Sequence, residues 1–336
     1  MKTIHDLSSK QLLNGQIAMT LSSLAYDTPS NIQNLLQNKS LATKGEWDVV
    51  WGPCVKESNL MFVAKKKDSN EYMVTIRGTI ASAWSIFEDA DSFSIVKFPW
   101  PYNHDDKYIS SGMSDGWDHL NAMKDSNTSK HLYEFVSAIP DHSYVYVTGH
   151  SQGGGLATVM AFFLHDNFNA KKHIIPYTMA GETAGNPAFA HAYNIRFDKQ
   201  DDTAGLRFFN NIDIVPKGFS DMASIKSLYG TEPPFVGCPG SFDVLIDSLI
   251  KILPTYEQPK TGVSLPGPHV PIDGTVHWYN RRSLFISELE IQHNHLTYLT
   301  LLGAPLTAGA PAVWPPTSIK APGILSSFMN YIFKRK

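Results

Sequence analysis

The sequence predicts an α/β fold, with a mostly parallel central sheet and helices on both faces. Apolar runs of strand length alternate with helical patterns through the middle of the chain. The run Ser143 to Thr148 is β-branched and aromatic, which suits a buried central strand. A helical pattern follows it almost at once, from Ser151 to about His165.

Taken in order, the first helix is expected from a cap at Ser8/Ser9 to about Tyr26, with Leu13, Ile17, Leu21 and Leu24 on one face. Trp47 to Trp51, Leu60 to Ala64 and Tyr72 to Ile76 read as strands. Gly52-Pro53 and the solvated turn Lys65-Lys66-Lys67-Asp68 break them. Asp89 to Asp115 is irregular and rich in Phe, Tyr and Pro, and helical pattern returns through Trp117 to Ala138. The helix after the central strand mixes small Ala157 and Ala161 with bulky Leu156, Met160 and Phe163. An apolar run at His173 to Met179, a helix near Pro187 to Phe197 and a strand at Leu206 to Phe209 follow. Pro254 to Pro271 and Pro305 to Pro322 hold five prolines each and read as ordered loops. No boundary or internal repeat is visible, so one domain over 1–336 is expected. Its C-terminal extension, 303–336, is expected to end in a docking terminal helix from Ile324, with interfacial membrane attachment as the alternative.

Composition narrows the function. The 336 residues carry a net charge of −3 without basic clusters, which argues against nucleic acid as a partner. Hydrophobic residues make up 43% and charged ones 18%, below the usual ~25%, which argues against disorder and hints at apolar surface left for a partner or a greasy substrate. Met1 to Asp6 lacks the profile of a secretory leader, and the apolar stretch Leu156 to Leu164 is far short of the ~20 residues of a membrane span. The expected compartment is the cytoplasm, with leaderless export or prior leader removal as the alternative. Cys54 and Cys238 lack zinc spacing and read as two buried thiols or one long-range disulfide. With no HExxH or EF-hand loop, neither metal nor cofactor is expected; Asp89 and Asp91 read as solvated carboxylates. Gly153-Gly154-Gly155 is not a phosphate loop, because no GK(S/T) follows.

The sharpest feature is Val147-Thr148-Gly149-His150-Ser151-Gln152-Gly153-Gly154-Gly155, a GxSxG between a strand and a helix. A serine on such a turn is crowded, so the residues two before and two after it must be small. The turn lifts Ser151 Oγ above the strand end, and the helix start behind it offers N–H groups and a positive dipole to an oxyanion. A serine nucleophile needs a base and an orienting acid, in the order Ser, Asp or Glu, His for this arrangement. Asp213 closes the apolar run Phe208 to Pro216 at a strand end, where ligand chemistry gathers. Four late histidines are candidates for the base: His269, His277, His293 and His295. His269 lies in a Pro-rich loop and His277 in an expected strand, Thr275 to Tyr279. His293 and His295 open the apolar run from Leu296, and His295 stands at an expected helix start.

From about Tyr26 to Leu302 the chain resembles the class 3 lipases, the group named for the fungal triacylglycerol lipases. Thr75-Ile76-Arg77-Gly78-Thr79 resembles the family's RG(S/T) block, and Gly149 to Gly153 its nucleophile block. Ala180 to Asn186 is similar to its G-x-P-R-V-G-N segment, with Glu182 and Thr183 in place of the proline and arginine. Asp213-Ile214-Val215-Pro216 matches its acid block. The resemblance implies an α/β-hydrolase fold and a carboxylic ester hydrolase, foremost a triacylglycerol lipase. Phospholipase A1, a short-chain or feruloyl-type esterase, and a non-enzymatic lipid-binding protein are the alternatives. The family's histidine sits in H-x-x-Y, here His295-Leu296-Thr297-Tyr298, so the implied triad is Ser151, Asp213 and His295. The implied oxyanion donors are Thr79 and the backbone N–H of Gln152. The family's lid maps to a helix over Ile80 to Ala90, whose apolar face is Trp84, Ile86 and Phe87. The implied partner is a lipid or other ester, met through transient contact with a lipid interface.

Overall fold

The computed structural model describes residues 2–78, 94–97, 106–229, 237–253, 255–273, 281–307, 309–311 and 314–320. The chain starts with β1 (Lys2–Thr3), α1 (Ser9–Leu24), α2 (Pro29–Leu36) and the meander β2 (Trp47–Lys56), β3 (Asn59–Lys66), β4 (Glu71–Arg77). A small ribbon, β5 (Ile95–Lys97) and β6 (Tyr108–Ser110), leads into α3 (Ser111–Asn121) and α4 (Leu132–Ala138). The βα core is β7 (Tyr144–His150), α5 (Gln152–Phe168), β8 (His173–Met179), α6 (Pro187–Phe197) and β9 (Leu206–Asn210). Then come α7 (Met222–Ile225), α8 (Gly240–Ile252), β10 (Gly262–Leu265), β11 (Ile272–Asp273), α9 (Arg281–His293), α10 (His295–Leu301) and β12 (Ile319–Lys320).

Eight strands form one sheet in the order β1-β10-β9-β8-β7-β4-β3-β2. The β2–β3 and β3–β4 pairs are antiparallel, and every pair from β4 to β1 is parallel. The sheet is buried on both faces, and its side chains alternate between two cores. Along β3, Leu60, Phe62 and Ala64 join the cluster that holds α1, α9 and α10, while Met61 and Val63 join the cluster that holds α3, α5 and α6. In β7, Tyr146 faces the first cluster, and Val145 and Val147 face the second.

α1 starts at the predicted cap. Ser8 Oγ accepts from Gln11 N–H at 3.2 Å, and Gln11 Oε1 accepts from Ser8 N–H at 3.0 Å. Leu13 is 39% exposed and does not share the buried stripe, whereas residues 17–24 are buried all round where the helix passes over the sheet. Gly52-Pro53 does not end its strand. It lies inside β2, where the pairing with β3 slips on both sides of Trp51; β2 is an edge strand, which tolerates the missing N–H of proline. The stretch from Pro254 to Pro271 is more than loop, because β10 lies within it and pairs with β9. Cys54 and Cys238 are free thiols, the first buried and donating to the Lys124 carbonyl at 3.2 Å. The expected strand Thr275 to Tyr279 and the C-terminal segment from Ile324 lie outside the described residues. No described helix is long and apolar enough to cross a membrane.

Candidate active site

The C-terminal ends of β4, β7, β8 and β9 converge, and the local sequence shows why this packing is possible. A Cβ on Gly78 would stand 2.5 Å from Gln152 Cβ and 2.6 Å from Gly153 N. One on Gly149 would run into the Gly153 carbonyl, and one on Gly153 into the Ile76 carbonyl. On Gly154 it would meet Met179 O at 2.7 Å and Gly181 Cα at 2.8 Å. At Gly149, Gly153 and Gly154 the added atom meets only backbone, so only glycine fits there. Ser151 pivots between them at φ +61° and ψ −132°, a region that costs a non-glycine residue about 1–3 kcal/mol. Ser151 N–H donates to Met179 O at 3.1 Å, and Gly154 N–H donates to Ser151 O at 2.8 Å. These bonds hold the strained turn and project Oγ from the sheet.

A continuous hydrogen-bond chain starts at that oxygen. Ser151 Oγ lies 2.7 Å from His293 Nε2, and His293 Nδ1 lies 2.8 Å from Asp213 Oδ2. A carboxylate only accepts, so Nδ1 carries the hydrogen and Nε2 is free to accept from the serine hydroxyl. Asp213 is fully buried; its Oδ1 accepts from Val215 N–H at 2.9 Å. Its Oδ2 also accepts from the Tyr298 hydroxyl at 2.7 Å, and Tyr298 Oη accepts from Asn210 N–H at 2.9 Å. Burial alone would lower the His293 pKa, but the Asp213 charge and hydrogen bond, with help from Glu290 and Glu182, carry it above the ordinary histidine value. His293 is also the last residue of α9, and a helix C-terminus favours an imidazolium.

The base expected at His295 is therefore corrected to His293. Asn294 breaks the path between α9 and α10: it caps α10, its Oδ1 accepting from Leu296 N–H at 2.9 Å. His295, first residue of α10, is turned onto α1. Its ring stacks on Tyr26 with centroids 5.2 Å apart at 12°, and its Nδ1 is 2.8 Å from Ser23 Oγ. The H-x-x-Y context marks the right segment and the wrong histidine. An available signal is Asn294 itself, a favoured N-cap that puts the histidine before it at the end of the preceding helix. Sequence reasoning also misses Tyr298 as a contributor, although it closes the same motif.

Asp213 occupies the strand-end loop expected of it. Gln152 opens α5, where N–H groups lack acceptors within the helix. His269 lies beside Glu288, with Nδ1 3.8 Å from Oε1. Thr79, the helix expected over Ile80 to Ala90 with Trp84, Ile86 and Phe87, Asp89, Asp91 and His277 lie outside the described residues. Behind the base, Gln292 Oε1 accepts from Asn210 Nδ2 at 2.8 Å and Gln292 Nε2 donates to Glu288 Oε1 at 2.9 Å. This bracket ties the end of α9 to the end of β9. Burial pushes the Glu288 carboxyl up to about 7.

Residues 73–222 match the model of the lipase (class 3) family, a span that holds Ser151 and Asp213 but ends before His293. Among solved structures the chain is similar to M37 lipase, with TM-score 0.72 and 25% identity over 88% of this chain and 94% of that one. Two more distant likenesses concern the fold alone. A point mutant of MDLA from Penicillium cyclopium gives TM-score 0.53 and 16% identity over 80% of this chain and 85% of that one. Lip2 lipase from Yarrowia lipolytica gives 0.51 and 18% over 63% and 76%. A sequence search of curated proteins finds no significant match. With the family match spanning its nucleophile and acid blocks and the fold shared with M37 lipase along most of its length, the chain is similar to the class 3 lipases over residues 73–222 and is a serine ester hydrolase of the α/β-hydrolase fold.

Proposed function

We propose that the chain is a lipase that cleaves triacylglycerol and related long-chain esters by two-step acyl transfer, with Ser151 as nucleophile, His293 as base and Asp213 as orienting acid. The observation that carries this reading is the unbroken Ser151–His293–Asp213 hydrogen-bond chain. His293 takes the Ser151 proton as Oγ attacks the ester carbonyl, then returns it to the leaving alcohol. Asp213 keeps Nδ1 protonated and stabilises the imidazolium. Water, activated by the same base, then releases the acid. The oxyanion falls to the Gln152 N–H and to Thr79; losing one such donor costs about 2.7–4 kcal/mol of transition-state stabilisation. The preference for long chains is supported by the family and by the apolar bulk of Trp84, Ile86 and Phe87, which this reading assigns to contact with the acyl chain or the lipid surface.

The test is hydrolysis of p-nitrophenyl esters from acetyl to palmitoyl, by the wild type and by Ser151→Ala. A maximum at long chains and no turnover by S151A are expected. Retained turnover by S151A removes the serine mechanism. A maximum at acetyl or butyryl replaces the lipase with a small-ester esterase.

A further inference from the structure

The base is held twice. Its ring is held by Asp213, and its main chain is held by another histidine. His150, 4% exposed, places Nε2 2.9 Å from the His293 carbonyl. A carbonyl only accepts, so Nε2 carries the hydrogen. Nδ1 is then a lone pair, and the Tyr26 hydroxyl, 3.0 Å away, donates to it. One neutral tautomer satisfies both ring nitrogens. Tyr26 is itself fixed. The preceding carbonyl, Ala25 O, accepts from Arg77 Nη1 at 3.1 Å, and the Tyr26 ring lies against the His295 ring. His295 in turn is tethered to Ser23, which also lies 3.0 Å from Thr307 Oγ1.

We propose that His150, kept in a single tautomer by Tyr26, is a positioning residue for His293, and that His295 is the platform on which Tyr26 rests. This proposal rests on the reading of His293 as base. It gives the second histidine of the His293-Asn294-His295 pair a role the triad leaves open. The residue beside the nucleophile reaches the main chain of the base directly, so the elbow and the base move as one body. Reacting groups displaced by about 1 Å can lose roughly 10²-fold in rate, so this clamp acts on turnover rather than on substrate affinity.

The experiment measures kcat and KM on a soluble p-nitrophenyl ester, with thermal unfolding and fluorophosphonate labelling of Ser151 as companions. His150→Ala should lower kcat about 10–100-fold with KM within about 2-fold. His150→Gln, whose amide nitrogen reaches the position of Nε2, should recover most of that loss. Tyr26→Phe should cost about 3–10-fold in kcat in the wild type and nothing further in H150Q, because the amide makes no use of the phenol. If H150A does not fold, the Y26F and H150Q pair decides alone. Equal loss in H150A and H150Q, a loss confined to KM, or unchanged kcat in Y26F overturns the positioning role. Failure of the wild type to label at Ser151, or full activity in His293→Ala, overturns the underlying reading instead.

Discussion

The β7–α5 elbow and the α9–α10 junction hold the two ends of the Ser151–His293 hydrogen bond, yet they are built in different ways. At the elbow, backbone crowding decides everything. Gly149, Gly153 and Gly154 are required by atoms within a few residues or on adjacent strands, and Ser151 has one place to go. At the junction no crowding selects the histidine. His293 and His295 differ by two positions, and what separates them is partnership with Ser151 and Asp213, 142 and 80 residues away, or with Ser23, 272 residues away. Steric necessity dictates a residue type, glycine, and so shows in a motif. Hydrogen-bond partnership is long-range and does not.

The sharpest way to break the comparison is at the junction. His293→Ala should lower kcat/KM by about 10⁴-fold or more, and His295→Ala by less than about 10-fold. The reverse order would return the base to His295. At the elbow, Gly149→Ala presses a methyl group onto the Gly153 carbonyl and should cost several kcal/mol of stability, read as a large fall in Tm or loss of soluble protein. A mild effect there would mean the turn has room. The pH profile comes next. His293 must be neutral to act as base, so activity falls as pH drops through its pKa. With that pKa raised by Asp213, the acid limb of kcat/KM should lie above pH ~6.5. Asp213→Asn should move the limb down as well as slow the enzyme. The smallest effect is expected behind the base. Glu288 holds its proton more tightly when folded, so its contribution to stability is full at low pH and is lost as pH rises from its unfolded value near 4.5 through about 7. Glu288→Gln should flatten the decline of Tm across that window, and an unchanged slope would remove Glu288 as its source.

The core strands were legible because their side chains alternate between two buried faces, as Leu60 to Ala64 show. β10 was hidden because its four residues sit between Pro259 and Pro266, and it becomes a strand only by docking on β9. Ser151 and Asp213 were legible for a related reason, each lying at a strand end in a tight local context. Leu13 escapes the pattern because periodicity marks a face but not how far a neighbour extends over it. The H-x-x-Y pattern finds Tyr298 and the correct segment, but the break at Asn294 decides which imidazole turns toward the serine.

The tether between α1 and the α9–α10 junction bears on how the molecule is made. Residues leave the ribosome in order, at about 5–20 per second. The elbow can assemble once β8 is available, with Ser151 already in place. Ser23 and Tyr26, by contrast, emerge some 270 residues ahead of His295 and must wait on a nascent chain that still lacks its base. The growing polypeptide therefore carries Ser151 well before the histidine that hydrogen-bonds to it, which emerges 142 residues later. The contacts of α1 with this junction form only when a helix made some 270 residues later has emerged.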